Sequence, residues 1–159
     1  MFNYYKSLDL PKLPDNLIAE VLDSMNNGRN IFHNKKSIWY KQMVGNEKLQ
    51  EYTKDLFDFN HLATIQVIRA GLPIHIDVGR TEAYNYLIDT GGENVTTAFY
   101  KKEDFYITEN HRTRFIGKNI QIVEEICIPV STWHWLDVSM PHTVKNISRQ
   151  RIAISINKI

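Results

Sequence analysis

The sequence predicts a mainly β domain of the α+β class, a double-stranded β-helix (jelly-roll) core behind N-terminal helices. Two observations carry this. From residue 62 onward, short β-branched and aromatic runs alternate with Gly, Pro and Asn turns. Helical periodicity is confined to the first 60 residues, so the chain lacks the strand–helix alternation of a parallel βαβ sheet. A double sheet also limits exposed strand edges and has a mouth in which a ligand can sit.

A chain of 159 residues is read as one domain, 1–159, with 1–60 as helical support and 61–159 as the jelly-roll core. Hydrophobic residues make up 43% and charged residues 23%, an ordinary balance for a soluble globular protein. A net charge of +1 gives no push toward nucleic acid or an anionic membrane. The N-terminus lacks the pattern of a secretory signal, and no apolar stretch reaches the roughly 18 residues of a membrane span. The single cysteine, Cys127, cannot form an internal disulfide, and its strand-like setting predicts a buried small hydrophobe.

Each element follows from local pattern. Residues 1–14, broken by Pro11 and Pro14, read as an extended cover. Asp15 is placed as the N-cap of a helix, Leu17, Ile18, Val21, Leu22 and Met25 as its apolar stripe, and Gly28 as its stop. Residues 29–45 hold core candidates such as Ile31, Phe32, Ile38, Trp39 and Tyr40 without a clear period. A second helix is expected from Asn46, with Leu49, Tyr52, Leu56 and Phe57 on its dry face. Strands are predicted over 63–69, around His75, and over 83–88, 95–100, 105–108, 120–128, 133–138, 143–147 and 151–156. The runs 95–100 and 105–108 read as a hairpin, and 109–118 as a loop. Both helices are expected on one outer face.

The chemistry concentrates in Leu72-Pro73-Ile74-His75-Ile76-Asp77-Val78-Gly79-Arg80. Residues i and i+2 of a strand share a face, so His75 and Asp77 can converge on one point. His142, on a later strand, would complete two imidazoles and one carboxylate, a donor set that leaves metal positions open. An isolated His-x-Asp is more often a surface pair, so the case rests on conjunction. Arg151 follows His142 by nine residues inside an apolar alternation, and a guanidinium there is costly to bury without an anion. Arg151, Ala153 and Ser155 should face the cavity, with the intervening isoleucines against a helix or the second sheet.

Other residues read two ways. Asn85 points inward either to contact a ligand or to serve structure. Arg80 either holds an acidic substrate group or is a solvated turn residue. Thr64 and Gln66 share a strand face that can line the pocket. Trp133, His134 and Trp135 are better explained by core packing than by an aromatic cage, and His33, His61 and His111 have no metal-ligand spacing.

The His-x-Asp, distal His and following Arg resemble the central pattern of the Fe(II)- and 2-oxoglutarate-dependent oxygenases. Arg151-Ile152-Ala153-Ile154-Ser155 looks like the closing strand of the prolyl-hydroxylase-type branch. His75 to Arg80 with Asn85, and Pro141 to Asn146, are similar to small bacterial and viral members. The resemblance covers roughly residues 62–157 and does not reach the first 60.

It implies a cupin-like core with Fe(II) on His75, Asp77 and His142. 2-Oxoglutarate would be the cosubstrate, held by Arg151 with Ser155 and Asn85, and O2 the oxidant, with ascorbate as stimulant. Arg80 would contact the prime substrate, a free amino acid or a protein residue that is hydroxylated as succinate and CO2 leave. The compartment implied is the cytoplasm of a bacterium or of a virus-infected host cell. Two rivals stand beside this: a cupin-type metalloenzyme that does not use 2-oxoglutarate, and a non-enzymatic jelly-roll binding module.

Overall fold

The computed structural model describes residues 3–25, 40–107, 113–115 and 120–159. In chain order the elements are β1 (Tyr5–Leu8), α1 (Asp15–Ser24), β2 (Tyr40–Val44), α2 (Glu47–Lys54), β3 (His61–Ile68), β4 (Glu82–Asp89) and β5 (Thr96–Tyr100). A 3-10 turn, Lys102–Asp104, leads to β6 (Phe105–Ile107) and β7 (Thr113–Phe115). Then come β8 (Ile122–Ile126), β9 (Trp133–Asp137), β10 (His142–Lys145) and β11 (Arg151–Lys158).

Six strands form one antiparallel sheet in the order β1-β9-β4-β11-β3-β2, and three form a second in the order β10-β5-β8. His75 adds to the second sheet through a bridge with His142. Successive segments β3, His75, β4, β5, β8, β9, β10 and β11 therefore pass between the two sheets in the antiparallel winding of a jelly roll. The mainly β fold with two helices follows the sequence expectation.

The helices seal one face. Leu17, Val21 and Leu49 pack with Ile65, Val67, Tyr86, Trp133, Ile152, Ile154 and Ile156 in one buried cluster. The alternation along β11 explains this: its isoleucines face the helices, while Ala153 joins a second cluster between the sheets with Leu87, Phe99 and Leu136. Asn46 caps α2 by accepting from the Leu49 amide at 2.9 Å. Gln50 then bonds both the N–H and the C=O of Ala63, pinning α2 to β3.

Several expectations are corrected. Pro14, extended at φ −61°, is the cap of α1 without a side-chain bond, and Asp15 is the first helical residue, where its charge suits the helix dipole. The extended cover includes β1, which pairs with β9, and β2 lies at the opposite edge of the same sheet. The predicted hairpin does not form. β5 pairs with β10 and β8, while β6 turns away after the 3-10 turn and pairs with β7. Residues 113–115 of the expected loop are thus a strand; the rest of that loop and Thr108 are outside the described residues. So are Gly28, Ile31, Phe32, Ile38 and Trp39. Cys127 is exposed, because Ile126 and Ile128 on either side of it point inward.

Deleting residues 1–45 should give an insoluble or non-cooperatively melting product. It removes β1, α1, β2 and the buried Leu13, Leu17, Val21 and Met43, and leaves the edges of β9 and β3 unpaired. A soluble truncation with a sharp thermal transition would refute this account of the N-terminal part.

Candidate metal centre

The segment from Gly71 to Arg80 leaves β3 and crosses the mouth of the jelly roll. It is not a regular strand. His75 alone pairs with β10, exchanging backbone bonds of 3.0 and 2.9 Å with His142, and Asp77 N–H donates to Val138 O at 3.1 Å. Pro73 lacks an amide hydrogen and glycines flank the segment, which limits a longer ladder. The single bridge still brings the two imidazoles together, with ring centroids 4.5 Å apart.

His75, Asp77 and His142 each offer a ligand atom, all within 4.8 Å of one another. Asp77 Oδ1 lies 3.4 Å from His75 Nε2 and 3.7 Å from His142 Nε2. Each Nδ1 faces a backbone carbonyl, Pro73 O at 2.9 Å for His75 and Met140 O at 2.8 Å for His142. An Nδ1–H donated there fixes the tautomer and turns the Nε2 lone pair toward the shared point. Burial pushes the His142 imidazole down to about 4, so it stays a neutral donor near neutral pH. Burial works most strongly against charge on His75, but the hydrogen bond with Asp77, the bond to the Pro73 carbonyl and the Asp77 charge together outweigh it and raise the imidazole above its ordinary value. Burial opposes the Asp77 charge as well. The His75 bond and the Arg80 guanidinium prevail and hold the carboxyl well below the usual carboxylate range. Two imidazoles and an ionised carboxylate around one point suit a divalent first-row metal, and among the described residues no other His, Cys, Asp and Glu set converges this way.

The site opens into a cavity of about 1270 Å³ between the sheets, lined in part by Tyr40, Gln66, Asn85, Thr97, His134 and Arg151. Arg151 is 6% exposed, and its Nη1 reaches Thr90 O at 3.5 Å. Burial lowers this guanidinium to about 10. Gly91, at φ +86°, makes room for it: a Cβ there would lie 2.8 Å from Arg151 Cβ. Asn85 Oδ1 and Thr97 Oγ1 are buried with no hydrogen-bond partner among the described residues. Register places Ser155 opposite both Asn85 and Thr64, and His134 opposite Asn85.

Of the residues singled out from the sequence, His75, Asp77 and His142 come together, and Arg151 and Asn85 line the same cavity. Ser155 is fully buried and does not line it; its hydroxyl accepts from Arg80 Nη1 at 3.2 Å. Arg80 is half-buried and folds back onto Asp77. Its Nε and Nη2 contact Asp77 Oδ2 at 2.7 and 2.6 Å, and Nη1 donates to Asn157 Oδ1 at 3.1 Å. Gln66 lines the cavity and donates to the Tyr40 hydroxyl, whereas Thr64 is buried beneath it, bonded to Gln42 and Ser155 O. His61 bonds Phe59 O and Thr53 Oγ1 away from the centre; His33 and His111 lie outside the described residues.

Sequence reasoning missed His134, Thr97, Tyr40 and Gln42 as cavity residues. His134 had a signal. In Trp133-His134-Trp135 the alternation puts Trp133 in the helix-side cluster, so His134 must face the cavity. Burial, with Arg151 nearby, pushes its imidazole down to about 4.

No protein-family model matches the chain, and neither does any curated protein sequence. Among solved structures it is similar to oxalate decarboxylase of Bacillus subtilis, described with Mn(II) centres, at 10% identity and a TM-score of 0.41. A deletion variant of that enzyme gives 10% and 0.42. Both alignments cover 84% of this chain and 28% of the other, so this chain spans less than a third of those proteins. A likeness at this level carries no chemistry across. Among the described residues, no helix is long and apolar enough to cross a membrane.

Proposed function

We propose that this chain is an Fe(II)- and 2-oxoglutarate-dependent oxygenase that hydroxylates a C–H bond of a free amino acid or a protein residue. The observation that carries the reading is a buried guanidinium, Arg151, in the same cavity as the His75–Asp77–His142 cluster. A buried cation without a carboxylate beside it is expensive, and a dicarboxylate cosubstrate would offset that cost. Iron with 2-oxoglutarate and O2 would supply the oxidising power, with succinate and CO2 as the coproducts.

The chain's own part is binding, orientation and exclusion of water. His75 Nε2, His142 Nε2 and Asp77 Oδ1 would hold the metal. Arg151 would fork onto the far carboxylate of the cosubstrate. The Asn85 amide oxygen and the Thr97 hydroxyl, both without a partner among the described residues, would supply further polar contacts in the cavity. Leu136, Val138 and Ala153 give that cavity an apolar floor, which limits bulk water near the reacting groups.

The test is succinate formation from 2-oxoglutarate by purified protein with Fe(II) and ascorbate, first without a prime substrate and then with free amino acids and peptides. Slow succinate release that needs iron, and accelerates with one substrate class, is the expected outcome. Metal uptake with no 2-oxoglutarate binding would favour a metalloenzyme that does not use it. Absence of metal uptake would favour a non-enzymatic jelly-roll module.

A further inference from the structure

We propose that Arg80 is a positioning residue that makes Asp77 a one-oxygen metal ligand and ties it to β11. The inference rests on the reading of His75, Asp77 and His142 as a metal site.

Geometry carries it. Two N–H groups of one guanidinium, Nε at 2.7 Å and Nη2 at 2.6 Å, converge on Asp77 Oδ2. A carboxylate oxygen has two lone-pair directions, so this pairing occupies Oδ2. Oδ1 remains directed at the two imidazoles, 3.4 and 3.7 Å away. Capped in this way, Asp77 gives the metal one bond rather than two, and three protein bonds leave more positions open than four. The third nitrogen anchors the clamp: Nη1 donates to Ser155 Oγ at 3.2 Å and Asn157 Oδ1 at 3.1 Å, both on β11. The Asp77 carboxylate is thereby fixed to the strand that also carries Arg151. Gly79 at φ +80° gives the turn that lets Arg80 fold back three residues onto Asp77. Its three nitrogens are engaged inside the chain, so contact with an acidic substrate group would compete with this clamp.

The experiment titrates Mn(II) and Co(II) into wild type, Arg80→Gln, Arg80→Lys and Ser155→Ala/Asn157→Leu, with apo-state melting curves as a folding control. Mn(II) affinity should fall about 10–100-fold in Arg80→Gln, the usual effect of removing a partner of a metal ligand. The Co(II) visible spectrum, which reports coordination number, should shift with it. Arg80→Lys should regain some affinity but not the wild-type spectrum, because one ammonium cannot cap Oδ2 and also reach β11. The double variant keeps both contacts to Asp77 and removes the anchor, so it should weaken Mn(II) by less than Arg80→Gln. If Arg80→Gln does not fold, Arg80→Lys decides the matter. Wild-type affinity and spectrum in Arg80→Gln, or, failing its folding, in Arg80→Lys, would overturn the positioning role. A wild type that takes up neither metal would instead overturn the metal-site reading itself.

Discussion

Changing Arg151 to Ala should weaken 2-oxoglutarate binding to the metal-loaded protein by about 2–5 kcal/mol, the usual cost of losing one partner of a buried charge pair. Arg151 is 6% exposed and lines the cavity, and its guanidinium makes a long contact to the Thr90 carbonyl. It is therefore available to a carboxylate. Metal affinity should stay near wild type, since Arg151 contacts none of the three ligands. Arg151→Lys should recover part of the charge but not the planar fork. Isothermal titration of 2-oxoglutarate into wild type and both variants is the measurement. Equal affinity in wild type and Arg151→Ala would remove Arg151 as the anchor and, with it, the strongest support for a 2-oxoglutarate enzyme.

Replacing His75 or His142 with Ala should abolish stoichiometric metal binding at micromolar concentration. Each removes one of three donors whose lone pairs converge, and two remaining ligands rarely hold a first-row metal against water and buffer. The variants differ in their side effects. His142 is 7% exposed and packs on Phe99 at a ring distance of 5.9 Å, so His142→Ala leaves a cavity as well. His75 is less buried and sits at the mouth, so His75→Ala should melt close to wild type and is the cleaner test. Affinity should also rise with pH through the His75 titration. Its imidazole is held above its ordinary value by Asp77, and it must shed that proton before Nε2 can bind. Undiminished metal uptake in both variants would rule out this donor set.

Much of this was readable from side-chain alternation. The period of two in β11 separated Ile152, Ile154 and Ile156 from Arg151, Ala153 and Ser155, and the structure keeps that division. The His-x-Asp spacing needs only local extended geometry, so it survives although the segment forms one bridge rather than a strand. The apolar stripe of the first helix was legible for the same reason: Leu17 and Val21 are four apart and share a face.

What remained hidden depends on register and on pairing between distant segments. Local pattern says which face a side chain takes, not which residue stands across from it. The partnership of Arg80 with Ser155 and Asn157 spans 75 and 77 residues and exists only because β11 passes beside the mouth segment. The pairing of β6 with β7 in place of β5 was equally closed to inspection, since short β-branched runs carry no mark of their partner. The unpaired Asn85 and Thr97 atoms are unpaired only because two sheets enclose a cavity between them. The sequence by itself determined the alternating strands, the helix faces and the candidate donors, because each depends on a few neighbouring torsions. The tertiary structure alone decided which of those donors meet, that Ser155 serves Arg80, and that Arg151 is buried with no carboxylate partner among the described residues, because these follow from long-range packing.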